Sequence, residues 1–399
     1  MYKTVIMNSI FATEKTLYLL PKIKEFVANE LYPLETPEHL AGKFTKTIKI
    51  LKKKRELVKK ANLWGLQHHL SLCEFGQVSE ALAFSPFGHY TFNCQAPDIG
   101  NMELLDKFAS PDLKAEFLKP LMDGKIRSCF SMTEPQLAGS NPTNLATTAV
   151  KDKDSYIING HKWFTSSADG ASFAVVMAVT NPDAAPHKRS SQIIVPTNNS
   201  GFKFIRNIPI MGEAGEDYFS HAEVKYIDCR VPLTNLVGKE GEGFALAQER
   251  LGPGRIHHCM RWIGISERCF DVMCRRAVSR DMGDGTKLGE KQFIQGWISE
   301  SRAEIDAARL LVLNTANSID LYGAPTVRDQ ISAIKFYVAN IMLRVVNHAI
   351  QVNGAAGVTD DILMSFWYRH ERGARIYDGA DEVHKISLAK SILKKYAAQ

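Results

Sequence analysis

CFSMTEPQLAGSNPTN, residues 129–144, sits where the hydrophobic period of the chain changes. By itself this run of hydroxyls, a proline and the Gly139-Ser140 pair reads as a loop with turn chemistry. Upstream, from about residue 13 to 125, the pattern is helical, and charge-rich stretches such as KTIKILKKKRELVKKANLWGL (46–66) read as one solvated helix face. Downstream, from about 128 to 237, short alternating or apolar runs (SYIING, FAVVMAV, SQIIVP, FKFI, HAEVKYI) alternate with turn residues, the mark of a β domain. After Gly238 the helical period returns. In RIHHCMRWIGISERCFDVMCRRAV (255–278), Ile256, Met260, Ile263, Phe270, Met273 and Ala277 form one apolar stripe, and further helices are predicted at about 291–320, 328–352 and 379–396. Helical, then β, then helical is an α+β arrangement, with a helical domain over 1–127, a β domain over 128–238 and a helical bundle over 239–399.

Composition bounds the function classes. At 399 residues, 45% hydrophobic and 23% charged, the chain is globular and long enough for two or three domains. Its net charge of +6, from 49 basic and 43 acidic residues, suits an anionic ligand as well as a nucleic acid. Seven cysteines without a C-x-x-C pair argue against a disulfide framework and for a reducing compartment. No apolar run approaches the roughly 18 residues of a membrane span. The N-terminus MYKTVIMNSIFATEKTLYLL lacks the regions of a secretory leader, so the expectation is a soluble, unsecreted protein. The C-terminal KKYAAQ carries no peroxisomal tripeptide of the S-K-L type. His257 and His258 point about 100° apart on a helix, no Cys/His cluster accompanies them, and no metal site is expected.

Two local stretches carry finer expectations. In YIINGHKWF, Asn159-Gly160 between two strand-like runs predicts a hairpin turn, and Trp163 and Thr165 should alternate onto one face of the following strand. In RIYDGADEVHK (375–385), three carboxylates, Asp378, Asp381 and Glu382, stand beside a tyrosine and a glycine. Asp381 and Glu382 fit the acidic first turn of a helix, where the macrodipole favours negative charge.

TEPQLAGS (133–140), the W-x-T of Trp163–Thr165, the G-x-G-F of Gly241–Phe244 and the Tyr-acid-Gly of Tyr377–Gly379 occur in an order that resembles the acyl-CoA dehydrogenase family over nearly the whole chain. FNCQAPDIGNME (92–103), SCFSMTEP (128–135), RLGPGRIHHCMR (250–261) and DGADEVH (378–384) resemble the branch that in animals includes the family's tenth and eleventh members. Those animal members carry an additional phosphotransferase-like domain, and the present chain resembles the dehydrogenase unit alone.

The resemblance implies an N-terminal helical domain, a middle β-barrel and a C-terminal four-helix bundle, with FAD as cofactor. It implies that Phe130, Met132, Thr133, Gly139, Ser140, Trp163 and Thr165 line the flavin. Arg280, Gln292, Gln351 and Gly354 match positions through which a neighbouring subunit holds the FAD pyrophosphate and adenosine, so a homodimer or homotetramer is expected. Glu382 is a further expected FAD contact. The chain departs from the family pattern at RDMGDGTKL (280–288), where Met282 replaces an aromatic residue and one residue is added.

The chemistry implied is removal of the α-proton of an acyl-CoA thioester while the β-hydride goes to flavin N5, with an electron-transfer flavoprotein as acceptor. Asp378 aligns with the base, one methylene shorter than the family's usual glutamate, and Arg255 with a residue near substrate and base. Gly254 stands where some relatives place the base instead, and Glu249 is an alternative. An aspartate base also fits a nitroalkane-oxidase-like enzyme that passes electrons to oxygen. A DNA-associated flavoprotein of this fold would need a concentrated basic surface, whereas the basic residues here are dispersed. The compartment implied is the cytoplasm for a bacterial source and the mitochondrial matrix for a eukaryotic one.

Overall fold

A capping box opens the first helix: the Thr13 side chain accepts from the Thr16 amide, and Thr16 returns the bond to the Thr13 backbone. The computed structural model describes residues 10–40 and 44–398. The leader expectation therefore rests largely on residues 1–9, outside the described residues. Helices of eight residues or more are α1 (Glu14–Phe26), α2 (Phe44–Lys60), α3 (Leu72–Leu82), α4 (Asp98–Phe108), α5 (Gly243–Ser279), α6 (Gln292–Tyr322), α7 (Arg328–Asn353), α8 (Leu363–Glu371) and α9 (Asp381–Ala397). None is long and apolar enough to cross a membrane.

The chain divides into two units, described in turn. One comprises Glu38–Gly65 and Tyr90–Gly254. Its centre is an eight-stranded mixed sheet of β1 (Ser128–Ser131), β2 (Thr148–Asp152), β3 (Ser155–Ser166), β4 (Phe173–Val179), β5 (Ser190–Pro196), β6 (Phe202–Asn207), β7 (His221–Pro232) and β8 (Leu236–Val237). Hydrogen-bonded neighbours run β6-β7-β3-β2-β4-β5-β8, and β1 lies parallel to β4. FAVVMAV does not alternate because both faces of β4 are covered. Ala174, Val176 and Ala178 join a core with Ile158 and Val224, whereas Phe173 and Val175 pack with Met102 and Leu105 of α4 and with Phe117. Buried Asp98 opens α4 and ties it to β1, accepting from the Ser128 amide at 2.8 Å and from Arg127 Nε at 3.2 Å.

The expected hairpin turn is one turn misplaced. Asn159 and Gly160 lie inside β3, and the two-residue connection is Lys153-Asp154, with Lys153 at φ +56°. Asn159 instead exchanges hydrogen bonds with Asp228 of β7 at a register shift between Ile158 and Gly160. Gly160 is small for a packing reason, since a Cβ there would meet the Thr147 side chain at 2.2 Å. A second bulge falls between Lys162 and Thr165, where Phe164 has φ +50°. The two-residue repeat is interrupted there, so it does not fix the relative faces of Trp163 and Thr165.

The other unit comprises Met1–Pro37, Leu66–His89 and Arg255–Gln399. Within it α6 packs on α7 and α7 on α9. The predicted stripe on α5 is buried except for half-buried Phe270, and Cys259, Trp262, Ile265 and Cys269 are buried too, so this helix is covered on more than one face. An ion-pair cluster ties three of its helices together: Arg309 of α6 reaches Glu80 of α3 at 3.0 Å and also Glu267 of α5.

Candidate functional site

Asp378 stands in the turn between α8 and α9 with φ +54°, followed by Gly379 at φ +99°. Aspartate tolerates the left-handed region better than most residues, and glycine is required next to it because a Cβ would meet His384 Nε2 at 2.6 Å. The turn is gripped from three helices. Arg255 Nε of α5 donates to the Asp378 carbonyl at 3.2 Å and His384 Nε2 of α9 lies 3.1 Å from the same oxygen. Lys335 Nζ of α7 donates to the carbonyls of Gly379 (2.6 Å) and Ala374 (2.8 Å). The half-buried carboxylate meets α5 through Oδ2, 3.1 Å from His258 Nε2.

Behind His258 the support is aromatic and ionic. Its ring stacks on Trp262 at 5.9 Å, and the indole N–H donates to Glu371 (3.1 Å) and to the Tyr377 hydroxyl (3.2 Å). The Tyr377 hydroxyl donates to Glu371 at 3.3 Å, and Arg261 binds both Glu371 oxygens. Burial works against a charged Glu371, but Arg261 more than offsets it and holds the carboxyl below its ordinary range. Burial pushes His384 down to about 4, and pushes Lys335 down to about 8 against the pull of Asp378 and Asp381. Burial also lowers Arg255, opposed by Asp378. Near neutral pH the turn therefore faces two cations, Arg255 and Lys335, and one neutral imidazole, His384.

Asp381 opens α9, as its composition suggests, and is buried there, accepting from Arg375 Nε at 2.7 Å and Asn340 Nδ2 at 2.8 Å. Packing of α7 against α9 accompanies that burial. His257 and His258 part company: His257 packs edge-on to Phe75 at 5.2 Å, and its neighbour turns to Asp378. At Gly254 an added Cβ would meet nothing within 4 Å.

In the sheet unit a second cluster forms. Thr133 and Trp163 exchange hydrogen bonds, Trp163 N to Thr133 O at 3.1 Å and Thr133 Oγ1 to Trp163 O at 2.8 Å. Buried Thr165 shares a 3.0 Å hydroxyl contact with Ser131, to which the Tyr226 hydroxyl also donates. Arg250 lies 4.3 Å over the Phe130 ring. Met132, Thr133, Glu134, Gly139, Asn141 and Leu145 are among the residues lining a small cavity, and a Cβ on Gly139 would meet the Thr133 methyl at 3.2 Å. Ser140 is exposed. One determinant escaped the sequence reading. Lys162, fully buried, donates to the Met132 carbonyl (2.8 Å) and to Glu134 (2.9 Å), which also accepts from the amides of Ala146 and Thr147. Its only sequence signal is a lysine beside Trp163 and an acid inside TEP.

Arg280, Gln292, Gln351, Gly354 and Glu382 are exposed at helix ends, and none of the described contacts joins them to Asp378. The departing segment 280–288 is a tight loop closed by the Asp281–Lys287 pair at 3.1 Å, with Gly283 and Gly285 both at positive φ.

With this geometry in hand, comparison with known proteins decides the family. Residues 129–227 match the acyl-CoA dehydrogenase middle domain and residues 241–393 the acyl-CoA dehydrogenase C-terminal domain. The Mycobacterium tuberculosis protein FadE2 is 42% identical over 353 residues, 87% of this chain and 86% of that protein. The chain belongs to the acyl-CoA dehydrogenase family. Chicken acyl-CoA dehydrogenase family member 11 is 39% identical over 95% of this chain but 51% of its own length, so the chain spans about half of such relatives. A solved Mycobacterium abscessus structure, 33% identical, superposes with a TM-score of 0.91 over 96% of this chain and 99% of its own. Family membership brings an oxidoreductase class and FAD. The residues fit that group: three of the expected flavin-lining residues, Met132, Thr133 and Gly139, wall one cavity, and the Thr133 hydroxyl is bonded to the backbone of Trp163.

Proposed function

We propose that the chain catalyses FAD-dependent α,β-dehydrogenation of an acyl-CoA thioester, with Asp378 as the base that takes the α-proton. The observation that carries this reading is the Asp378 turn itself, a half-buried carboxylate on a left-handed backbone held by Arg255, His258 and His384. A carbon acid beside a thioester loses its proton slowly, so the base must be fixed in place before the substrate arrives, and general-base catalysis of this kind contributes about 10²- to 10⁴-fold. Asp378 receives that proton on its carboxylate. Arg255 holds the Asp378 carbonyl, Lys335 holds the carbonyls of Ala374 and Gly379 on either side of it, and both balance its charge before transfer.

FAD, when bound, supplies the acceptor for the β-hydride. Met132, Thr133, Trp163 and Thr165 are the residues we assign to its ring, with Phe130, Gly139 and Ser140 around them. Arg280, Gln292, Gln351 and Gly354 are assigned to the FAD of a neighbouring subunit in a homodimer or homotetramer, and Glu382 to a further FAD contact. An electron-transfer flavoprotein is the acceptor that completes the cycle.

The test is an anaerobic titration of the purified yellow protein with acyl-CoAs of graded length, with and without a 4-hydroxyl, read by flavin absorbance. Bleaching by one length class supports the reading and defines the substrate. A bound flavin that no thioester bleaches but a nitroalkane does would replace it with nitroalkane oxidation by the same aspartate.

A further inference from the structure

Two adjacent histidines on α5 meet different surroundings, and the one at Asp378 is the more constrained. His258 Nε2 lies 3.1 Å from Asp378 Oδ2 while its ring is stacked on Trp262 (interplanar angle 20°) and set against Tyr377 at 5.3 Å. Trp262 and Tyr377 are themselves tied to Glu371, which Arg261 holds. The plane of the imidazole is thus fixed by packing that does not depend on the carboxylate.

We propose that His258 is the positioning residue of Asp378, orienting one carboxylate oxygen and setting, through its own charge, how readily the other end of the base takes up a proton. The inference rests on the reading of Asp378 as the base. A neutral imidazole donating its N–H orients the carboxylate at modest cost to basicity. A protonated one adds a full positive charge beside it and makes it a weaker base.

Other groups face this pair from every packed element: Arg255, Cys259 and Arg261 on α5, Lys335 on α7, His370 and Glu371 on α8, Tyr377 in the turn, Asp381 and His384 on α9, and His89. His89 and His384 are pushed down by burial and stay neutral near pH 7, and Arg261 holds Glu371 ionised. His370 lies against Phe366 at 4.1 Å.

The experiment uses the flavin-loaded protein. With ¹³C-histidine labelling, the His258 signal is identified among the 12 histidines by its loss in His258→Gln. Its ring signals should shift in Asp378→Asn, because the carboxylate 3.1 Å from Nε2 is gone. Anaerobic bleaching by an acyl-CoA is then followed over a range of pH. His258→Gln, which keeps a donor and cannot titrate, should slow bleaching only about threefold at alkaline pH and flatten the acid limb, whereas His258→Phe should slow it about 100-fold throughout. Unmoved His258 ring signals in Asp378→Asn, together with a wild-type pH profile in His258→Gln, overturn the inference and leave the base intact. Wild-type bleaching by Asp378→Asn overturns the base and the inference with it. If His258→Phe does not retain flavin, the ring signals and the His258→Gln profile decide.

Discussion

Among the described residues each unit buries one lysine completely, and burial pushes both down to about 8. In the sheet unit Lys162 is answered by a carboxylate, Glu134, at 2.9 Å. In the helical unit Lys335 is answered by two backbone carbonyls, those of Ala374 and Gly379. The ion pair in the sheet unit joins β3 to the TEP motif 28 positions earlier in the chain. The helical lysine reaches a turn 39 and 44 positions further along the chain and stiffens the backbone under Asp378. A buried charge can therefore fasten a loop through its counter-ion, or a turn through backbone carbonyls.

The largest effect expected in either region is on chemistry. Asp378→Asn should lower acyl-CoA-dependent flavin bleaching by about 10³-fold or more, within the range for loss of a general base. Its flavin content and melting temperature should stay near wild type, since Asn keeps the left-handed turn. Rapid-mixing absorbance and thermal melts check both. A wild-type rate would leave the helical turn with a structural role only.

Next comes the ion pair. Lys162→Met leaves Glu134 buried without its partner and should cost about 3–5 kcal/mol, measured by urea unfolding. The double variant with Glu134→Gln should recover most of that loss, and additivity of the two changes would mean that the pair does not couple.

The acid limb of stability gives the third contrast. His384 has a folded value near 4, below its ordinary value of about 6.5, so between these limits the unfolded chain binds more protons than the folded one. Its contribution is full above about 6.5, declines as pH falls through that window, and amounts to about 3 kcal/mol lost by pH 4. His384→Gln should flatten this slope in urea midpoints taken from pH 7 to 4, and an unchanged slope would place the acid sensitivity elsewhere.

Smallest is Lys335→Met, expected to cost about 1–3 kcal/mol, because it strands two carbonyls rather than an ion. A loss equal to that of Lys162→Met would erase the distinction between the two buried lysines.

Much of this was legible beforehand. The change of period at residues 129–144 separates helix from sheet, and the helices expected at about 291–320, 328–352 and 379–396 are α6, α7 and α9. Helices of this length repeat their apolar spacing often enough to declare themselves, while α8, nine residues long, was missed. Local chemistry misled at Asn159-Gly160, which has turn composition, yet long-range pairing with β7 absorbs it as a bulge. Asp381 does open α9 as its composition suggests, and Arg375 and Asn340 also enclose it.

The sequence by itself determined the order of elements, the motifs and the residues of Asp378's turn, because hydrophobic period and turn chemistry are properties of neighbours along the chain. Only the tertiary structure decided that segment 38–65 belongs with the sheet, while His258, Lys335 and His384 come from three helices to one aspartate. Nothing in a residue's neighbours records which distant helix face will close over it.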